Sequence, residues 1–264
     1  MSPHNSSSTI GQRLRKFREL RGMTQQELEL EIDASFGHVS RIESGQVNPS
    51  KETLNLIASA MHLTNREIDY LFGITTEPAT REEINKAIAE IKPYFQKKGV
   101  IAYLLDDRWR YCALSDGFKK LFVDDKDDPL VSLILGKTTL EALLDDVIGA
   151  RAYFHENHFD DFIASHIPYY YAQTHFMADD VHFKNTIHLV KRTKYAPILE
   201  TLGHQKGITH FSSQESRIIY FNIHGLKIKT QFSREPLMSH PRFEVVEYSV
   251  SSPVLKLLSK LNRL

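Results

Sequence analysis

The sequence predicts two domains: an all-α bundle of five helices, and then an α+β domain whose antiparallel sheet is interrupted by a helical insertion. The chain has 264 residues, which exceeds the ~100–200 of a typical single domain. Up to residue 74, apolar residues recur at helical spacing behind capping signals. After Gly99 the pattern becomes strand, helices and strands again. The predicted segments are a disordered arm (1–9), a helical domain (10–74), a linker and connecting helix (75–98) and an α+β domain (99–264).

Composition limits the compartment and the class of protein. The chain has one cysteine, Cys112, so it can form no intramolecular disulfide, which is typical of a reducing compartment. Residues 1–9 lack the basic and apolar regions of a signal peptide, and no apolar run reaches the ~18 residues of a membrane span. We therefore expect a cytoplasmic protein with no membrane partner. The 33 basic and 33 acidic residues balance, and the basic residues are locally dense only in the first helix.

Two short helices joined by a turn are predicted between Thr24 and Gly45. Thr24 followed by Glu27 is a capping box, so a helix begins there. Leu28 and Ile32 share its inner face, and the solvent face is predicted to carry Gln25, Gln26 and Glu29. Ser35 is the expected N-cap of the second helix, which has Val39 and Ile42 on one stripe and ends at Gly45. This pair is typical of a helix-turn-helix.

Flanking helices complete the bundle. They are predicted at Ile10–Arg21, Ser50–Met61 and from Thr64-Asn65 to Phe72, and a further amphipathic helix connects Thr80 to Pro93. The Ser-rich arm before Ile10 contains no Arg or Lys, which favours disorder over a role as a minor-groove arm.

The region from Ile10 to Phe72 resembles the Xre/Cro family of regulators. The matching positions are Thr24-Gln25, Glu27-Leu28, Ser35, Val39 to Gly45 and Asn48-Pro49-Ser50. The resemblance implies a lambda-repressor-like helix-turn-helix fold whose second helix enters the DNA major groove. It also implies that Arg18 and Glu43 form an ion pair between the first and third helices, against the alternative that each is separately solvated.

The resemblance assigns DNA-binding roles to individual residues. Gln25 would hold a backbone phosphate, Arg41 has the chemistry to bond guanine, and Phe36 could contact a thymine methyl. Gly37 is a departure that costs about 1 kcal/mol in a helix relative to Ala. Either it lets the backbone approach DNA closely, or little sequence is read there. The predicted DNA-binding residues are Gln25, Ser35, Phe36, Gly37, His38, Ser40, Arg41, Ser44, Asn48 and Lys51.

The second half of the chain opens and closes with strands. Strands are predicted at Val100–Leu105 and Trp109–Leu114, with a helix following Ser115, and again at Arg217–Ile223, Leu226–Phe232 and Phe243–Val250. Between them we expect a solvated charged loop at Asp124–Asp128 and helices at Leu130–Ile134, Thr139–Ile148, Ala150–His166 and Phe183–Leu202. A terminal helix opens at Ser252-Pro253.

The stretch from Tyr103 through Trp109 and Ser115 to Phe122 resembles the PAS-like ligand-binding domain of MmyB-like regulators, although Ser115 stands where Asn is common there. The resemblance implies a small apolar ligand, for example a fatty acid. The residues expected to line the pocket are Tyr103, Trp109, Phe118, Phe122, Phe154, Phe162, Tyr170, Phe176 and Phe221.

An enzyme is not expected. Of the 13 histidines, ten follow residue 150, but His155-Glu156-Asn157-His158 is one residue short of a zinc-protease motif. Neither a phosphate-cradling glycine loop nor a nucleophile elbow occurs, and Cys112 lies in a strand where a buried, inert thiol is expected. We therefore predict no catalytic residue, no metal and no required cofactor.

These inferences predict a bacterial one-component transcription regulator whose DNA binding is gated by a small apolar ligand. A homodimer on a palindromic double-stranded operator is expected, because one recognition helix covers only a few base pairs and two can span half-sites about 34–36 Å apart. The alternative is a constitutive dimeric repressor whose second domain serves only dimerisation or a protein partner.

Overall fold

The computed structural model describes residues 9–122, 130–204, 218–223, 225–251 and 253–254. Within these ranges the α-helices are α1 Ile10–Leu20, α2 Gln25–Glu31, α3 His38–Glu43, α4 Lys51–Ala60, α5 Asn65–Leu71, α6 Arg81–Phe95, α7 Asp116–Phe122, α8 Leu130–Ile134, α9 Thr139–Leu144, α10 His158–Thr174, α11 Val181–Lys191 and α12 Ala196–His204. The strands are β1 Ala102–Leu105, β2 Tyr111–Leu114, β3 Ile218–Ile223, β4 Leu226–Pro236 and β5 Glu244–Val250. Short 3₁₀ helices cover Ala150–Tyr153 and His175–Met177.

Helices α1–α5 form the predicted N-terminal bundle, which we call the reader. Capping boxes begin α1, α2 and α5 at Thr9, Thr24 and Thr64, so the local sequence determines where these helices start. Their apolar faces meet in one core. Helix α1 crosses α3 at Gly11, where a Cβ would lie 2.3 Å from the carbonyl oxygen of Ile42, so this crossing requires glycine. The close crossing fixes the recognition helix on the bundle.

The remainder of the described chain contains a five-stranded antiparallel sheet, in the order β2-β1-β5-β4-β3, with helices on both of its faces. Its inner face carries the largest apolar core, which helices α7–α12 cover. Helix α6 packs on the opposite face through Ala87, Ile91 and Phe95, next to β1 and β2. In β4, Ile228, Thr230 and Phe232 are buried and the side chains between them are exposed, as in a sheet with one face in water, whereas Leu226 at the start of the strand is exposed. The predicted helical insertion is present, between a hairpin of β1 and β2 and a meander of β3, β4 and β5.

Several predicted boundaries were wrong. The helix predicted at Ala150–His166 is interrupted, because Phe154 forms an isolated β-bridge with Phe221 and Glu156 adopts a φ of 49°. The helix predicted at Phe183–Leu202 is two helices, α11 and α12. The second strand begins at Tyr111 rather than Trp109, whose φ is 63°. Some predicted segments lie outside the described residues: the arm up to Ser8, the loop at Asp124–Asp128, Arg217, His224 and most of the terminal helix.

No helix in the described part of the chain has the length and apolarity needed to cross a membrane.

Candidate nucleic-acid interface and the domain junction

The recognition helix α3 does not begin as predicted. Its N-cap is Gly37 with φ 76°, a left-handed conformation that glycine adopts without the steric cost of a Cβ, and Ser35 lies in the preceding turn. Gly37 is therefore not a weak point within a helix. A Cβ at this position would lie 3.2 Å from Nη1 of Arg41, so Gly37 also makes room for that guanidinium.

Glu29 caps α3 from the neighbouring helix. The sequence pattern placed it in solvent, but it is 4 % exposed. Its carboxylate accepts hydrogen bonds from the backbone N–H groups of Val39 (2.8 Å) and Gly37 (3.2 Å). A carboxylate at a helix N-terminus satisfies unpaired N–H groups and is stabilised by the helix dipole. The helix-turn-helix is thus held together across its turn by a residue that periodicity alone assigned to the surface.

Most of the predicted DNA-binding residues lie on an open face. Phe36 is 80 % exposed, Gln25, Gly37 and His38 are half-buried, and the exposed remainder comprises Ser35, Ser40, Arg41, Ser44, Asn48 and Lys51. An exposed face of hydroxyl, amide and guanidinium groups can exchange water for phosphate and base edges. We call it the DNA face.

The expected ion pair between Arg18 and Glu43 is confirmed. The guanidinium donates two hydrogen bonds, at 2.6 Å and 3.0 Å, to the two carboxylate oxygens. Gln25 Nε2 donates to the same carboxylate at 2.7 Å. This network ties α1 and α2 to the end of α3, and it positions the amide of Gln25 at the edge of the DNA face.

The residues predicted to line a ligand pocket form a connected series of ring contacts on the inner face of the sheet. Tyr103, Phe118, Phe122 and Phe221 contact in sequence with centroid distances of 5.6, 4.7 and 5.1 Å. The series continues through Phe154, Phe162, His166, Trp109 and Tyr170. Eight of the nine predicted residues therefore belong to one aromatic layer.

Phe176 is the ninth, and the structure places it elsewhere. It lies in the 3₁₀ helix His175–Met177, which we call the junction helix, and it is buried in the core of the reader. Its ring centroid is 5.7 Å from that of Phe17 in α1 and 5.3 Å from that of Tyr70 in α5. The C-terminal domain thus supplies a side chain to the hydrophobic core of the reader.

Buried charges hold the same junction. Arg108, 2 % exposed, bonds Oδ2 of Asp180 at 2.9 Å, the carbonyl oxygens of Thr75 (2.7 Å) and Thr76 (2.9 Å), and the carboxylate of Asp107 at 3.1 Å. It therefore ties the linker to both the hairpin and α11.

Arg242 continues this network. It bonds Oδ2 of Asp107 at 2.9 Å and Oε1 of Glu83 at 2.7 Å. Burial raises the pKa of Asp107, whereas Arg108 and Arg242 oppose that shift. Burial also disfavours ionisation of Glu83, but bonds from Thr80 and Arg242 outweigh it and lower its pKa to about 2. These contacts fix the start of α6 against the sheet.

The sequence pattern missed the junction because its contacts are distant along the chain. The sequence pattern assigned Phe176 to the aromatic residues of the helical insertion, and it placed Arg108 in the turn between two strands. The available signal was the Asp106-Asp107-Arg108 triplet between two buried strands, since charges in such a place are paired when buried.

The described residues contain no group of three or more His, Cys, Asp or Glu side chains placed to hold a metal ion. The two histidines of the near-motif, His155 and His158, have ring centroids 6.2 Å apart.

Comparison with known proteins identifies the reader. Residues 14–66 match the model of the helix-turn-helix family, a span that runs from α1 into α5. The N-terminal region is therefore an Xre-type helix-turn-helix domain. Domains of this class bind DNA in transcription regulators, and the chain is a DNA-binding protein of that kind. No curated protein matches the chain.

Proposed function

We propose that the chain is a bacterial one-component transcription regulator that binds a palindromic operator as a homodimer, and that a small apolar ligand in a PAS-like C-terminal domain gates its DNA affinity. A fatty acid is a ligand of the expected class. The proposal assigns the C-terminal domain no catalytic step and no required cofactor.

The insertion of Phe176 into the reader is the observation that carries the proposal. A ligand can change DNA affinity only if it interacts differently with two states of the chain and the reader differs between those states. Because the junction helix follows directly from α10, which forms part of the aromatic layer, a change in that layer would reach α1 and α5 through packed side chains.

The strand order supports the PAS-like assignment. A hairpin at the start and a meander at the end meet through the β1–β5 pairing, and the helical insertion lies between β2 and β3. This is the arrangement that the resemblance of residues 103–122 implies.

The dimer is proposed from the length of the recognition helix. Helix α3 has 6 residues, which can span only a few base pairs, so two copies are needed for a specific site. The face formed by α1 and α5 is covered by the chain's own junction helix, so the proposed dimer contact lies outside that covered area.

One observation favours the alternative of a constitutive repressor with a dimerisation or partner-binding domain. The residues expected to line the pocket pack against one another at ring-centroid distances of 4.7 to 5.6 Å, as the residues of a filled core do.

Selection of genomic DNA with the purified full-length chain, at stated salt, tests both versions. We expect a palindromic site whose affinity changes when an organic-solvent extract of the expressing cells is added. A palindromic site with unchanged affinity would support the constitutive alternative, and recovery of no specific site would contradict both.

A further inference from the structure

A groove lies between the connecting helix α6, the edge strand β2 and helix α8. Its volume is about 330 Å³, within the ~300–1,000 Å³ range of small-molecule sites. It lies at the edge of the sheet, where the core under α6, with Ile91 and Phe95, meets the edge of the larger core at Leu114. None of the nine residues predicted to line a ligand pocket lines this groove. Ile88 of α6, Leu114 of β2 and Val131 of α8 line it, and α7 contributes Asp116 and Lys119 at its rim.

The lining is apolar and part of it faces water. Ile88 and Val131 are half-buried, and Leu135 is 40 % exposed. A ligand that covers these side chains removes apolar surface from water, which is favourable. The groove therefore suits a ligand whose body is apolar.

The rim is cationic. Lys92 of α6 and Lys119 of α7 border the groove, and the rim carboxylate of Asp116 lies 3.4 Å from the ammonium group of Lys119. The lining therefore carries two lysines against one carboxylate, a net positive charge at the rim. An anionic group at the rim would be favoured by charge complementarity.

We infer that this groove is a binding site for a compact apolar monoanion, of the kind represented by an aromatic carboxylate. The inference rests on the proposed regulatory function only for its consequence. Helix α6 follows the linker that Arg108 and Arg242 hold, so occupancy would act on the helix that connects the linker to the sheet.

The single cysteine reports occupancy without any engineering. Cys112 lies in β2, lines the groove and is half-buried, so its rate of modification by a small thiol reagent measures access. Burial raises the pKa of this thiol, so the reaction is run at a fixed alkaline pH. Three probes of matched shape separate charge from hydrophobicity: 2-naphthoate, neutral 2-naphthalenemethanol and cationic 2-naphthylmethylammonium.

With the full chain, 2-naphthoate at about ten times its Kd should leave about a tenth of the sites empty and slow the modification of Cys112 roughly tenfold. The alcohol should protect at higher concentration and the cation least. Replacing both rim lysines, Lys92→Gln with Lys119→Gln, should weaken protection by the naphthoate and leave that by the alcohol unchanged. Lys98→Gln, an exposed lysine outside the groove, is the matched control. Ile88→Trp should fill the groove and abolish protection by every probe.

Two results would overturn the site. One is equal protection of Cys112 by the anion and the cation, and the other is a thiol that reacts at the same rate with and without each of the three probes. DNA affinity measured in the same samples separates this result from the proposed function. Protection with unchanged DNA affinity would support the site and count against gating through it. A DNA affinity that responds to the cell extract while Cys112 reactivity does not would overturn the site and leave the regulator intact.

Discussion

The reader has two faces that differ in the exposure of their side chains. On the DNA face, the side chains of Ser35, Phe36 and Arg41 are exposed and available to exchange partners. On the junction face, formed by α1 and α5, Phe176 fills the bundle core and Arg66 of α5 is bonded to Glu244 of β5. The difference teaches that one small bundle can keep its recognition side chains exposed while another part of its surface is fixed by the rest of the chain.

Phe176→Ala should produce the largest effect on stability. Truncating a buried phenylalanine removes its contacts with Phe17 and Tyr70 and leaves a cavity, so the free energy of unfolding should fall by about 3–5 kcal/mol. Urea denaturation measures this. Phe36→Ala is the matched control, because the same side chain is exposed on the DNA face and its loss should change stability by less than about 0.5 kcal/mol. Equal effects of the two substitutions would remove the distinction between the faces.

Arg41→Ala should lower DNA affinity and leave stability unchanged. It removes an exposed guanidinium from the DNA face, so affinity for the selected operator should fall by about 1–3 kcal/mol and the base preference at one position should relax, with unfolding unchanged. Competition binding against single-base operator variants is the measurement. Arg81→Ala, an exposed arginine at the start of α6, should leave both quantities unchanged. A uniform loss across all operator variants would reassign Arg41 to a phosphate.

Glu29→Gln tests the cap that connects the two helices of the motif. The amide can accept only through its single oxygen, whereas the carboxylate now accepts from the N–H groups of both Gly37 and Val39. We expect a loss of about 1–2 kcal/mol in the free energy of unfolding. The exposed Glu31→Gln, in the same helix, is the control. A Glu29→Gln chain as stable as that control would show that the buried carboxylate does not stabilise α3.

The carboxylate of Glu83, which is bonded by Thr80 and by Arg242, should give the smallest effect, visible as a pH dependence of stability. The pKa of Glu83 is lowered in the folded chain from 4.5 to about 2, so its contribution is present above pH 4.5 and is lost as the pH falls towards 2. The melting temperature of Glu83→Gln should therefore differ most from that of the natural chain near neutral pH, and the two should converge in acid. A difference that is constant with pH would show that the bonds from Thr80 and Arg242 do not stabilise the ionised carboxylate.

Contacts between residues close together in the sequence could be predicted, whereas most contacts between distant residues could not. A threonine and a glutamate three residues apart predict the starts of α2 and α6, because a capping box is local. The pair Arg18–Glu43 was accessible only through the family resemblance. Glu29 was misplaced because periodicity assigns a face, whereas its burial follows from unpaired N–H groups ten residues away. The position of Phe176 depends on how two domains dock, and no local pattern encodes that.

Hydrogen–deuterium exchange of the full chain with and without its operator tests the contrast between the two faces most directly. We predict that DNA slows exchange across residues 35–51, while residues 64–72 and 174–182 are already slow and do not change. Rapid exchange in α5 and the junction helix, or protection there that appears only with DNA, would show that the junction face is open and would contradict this account.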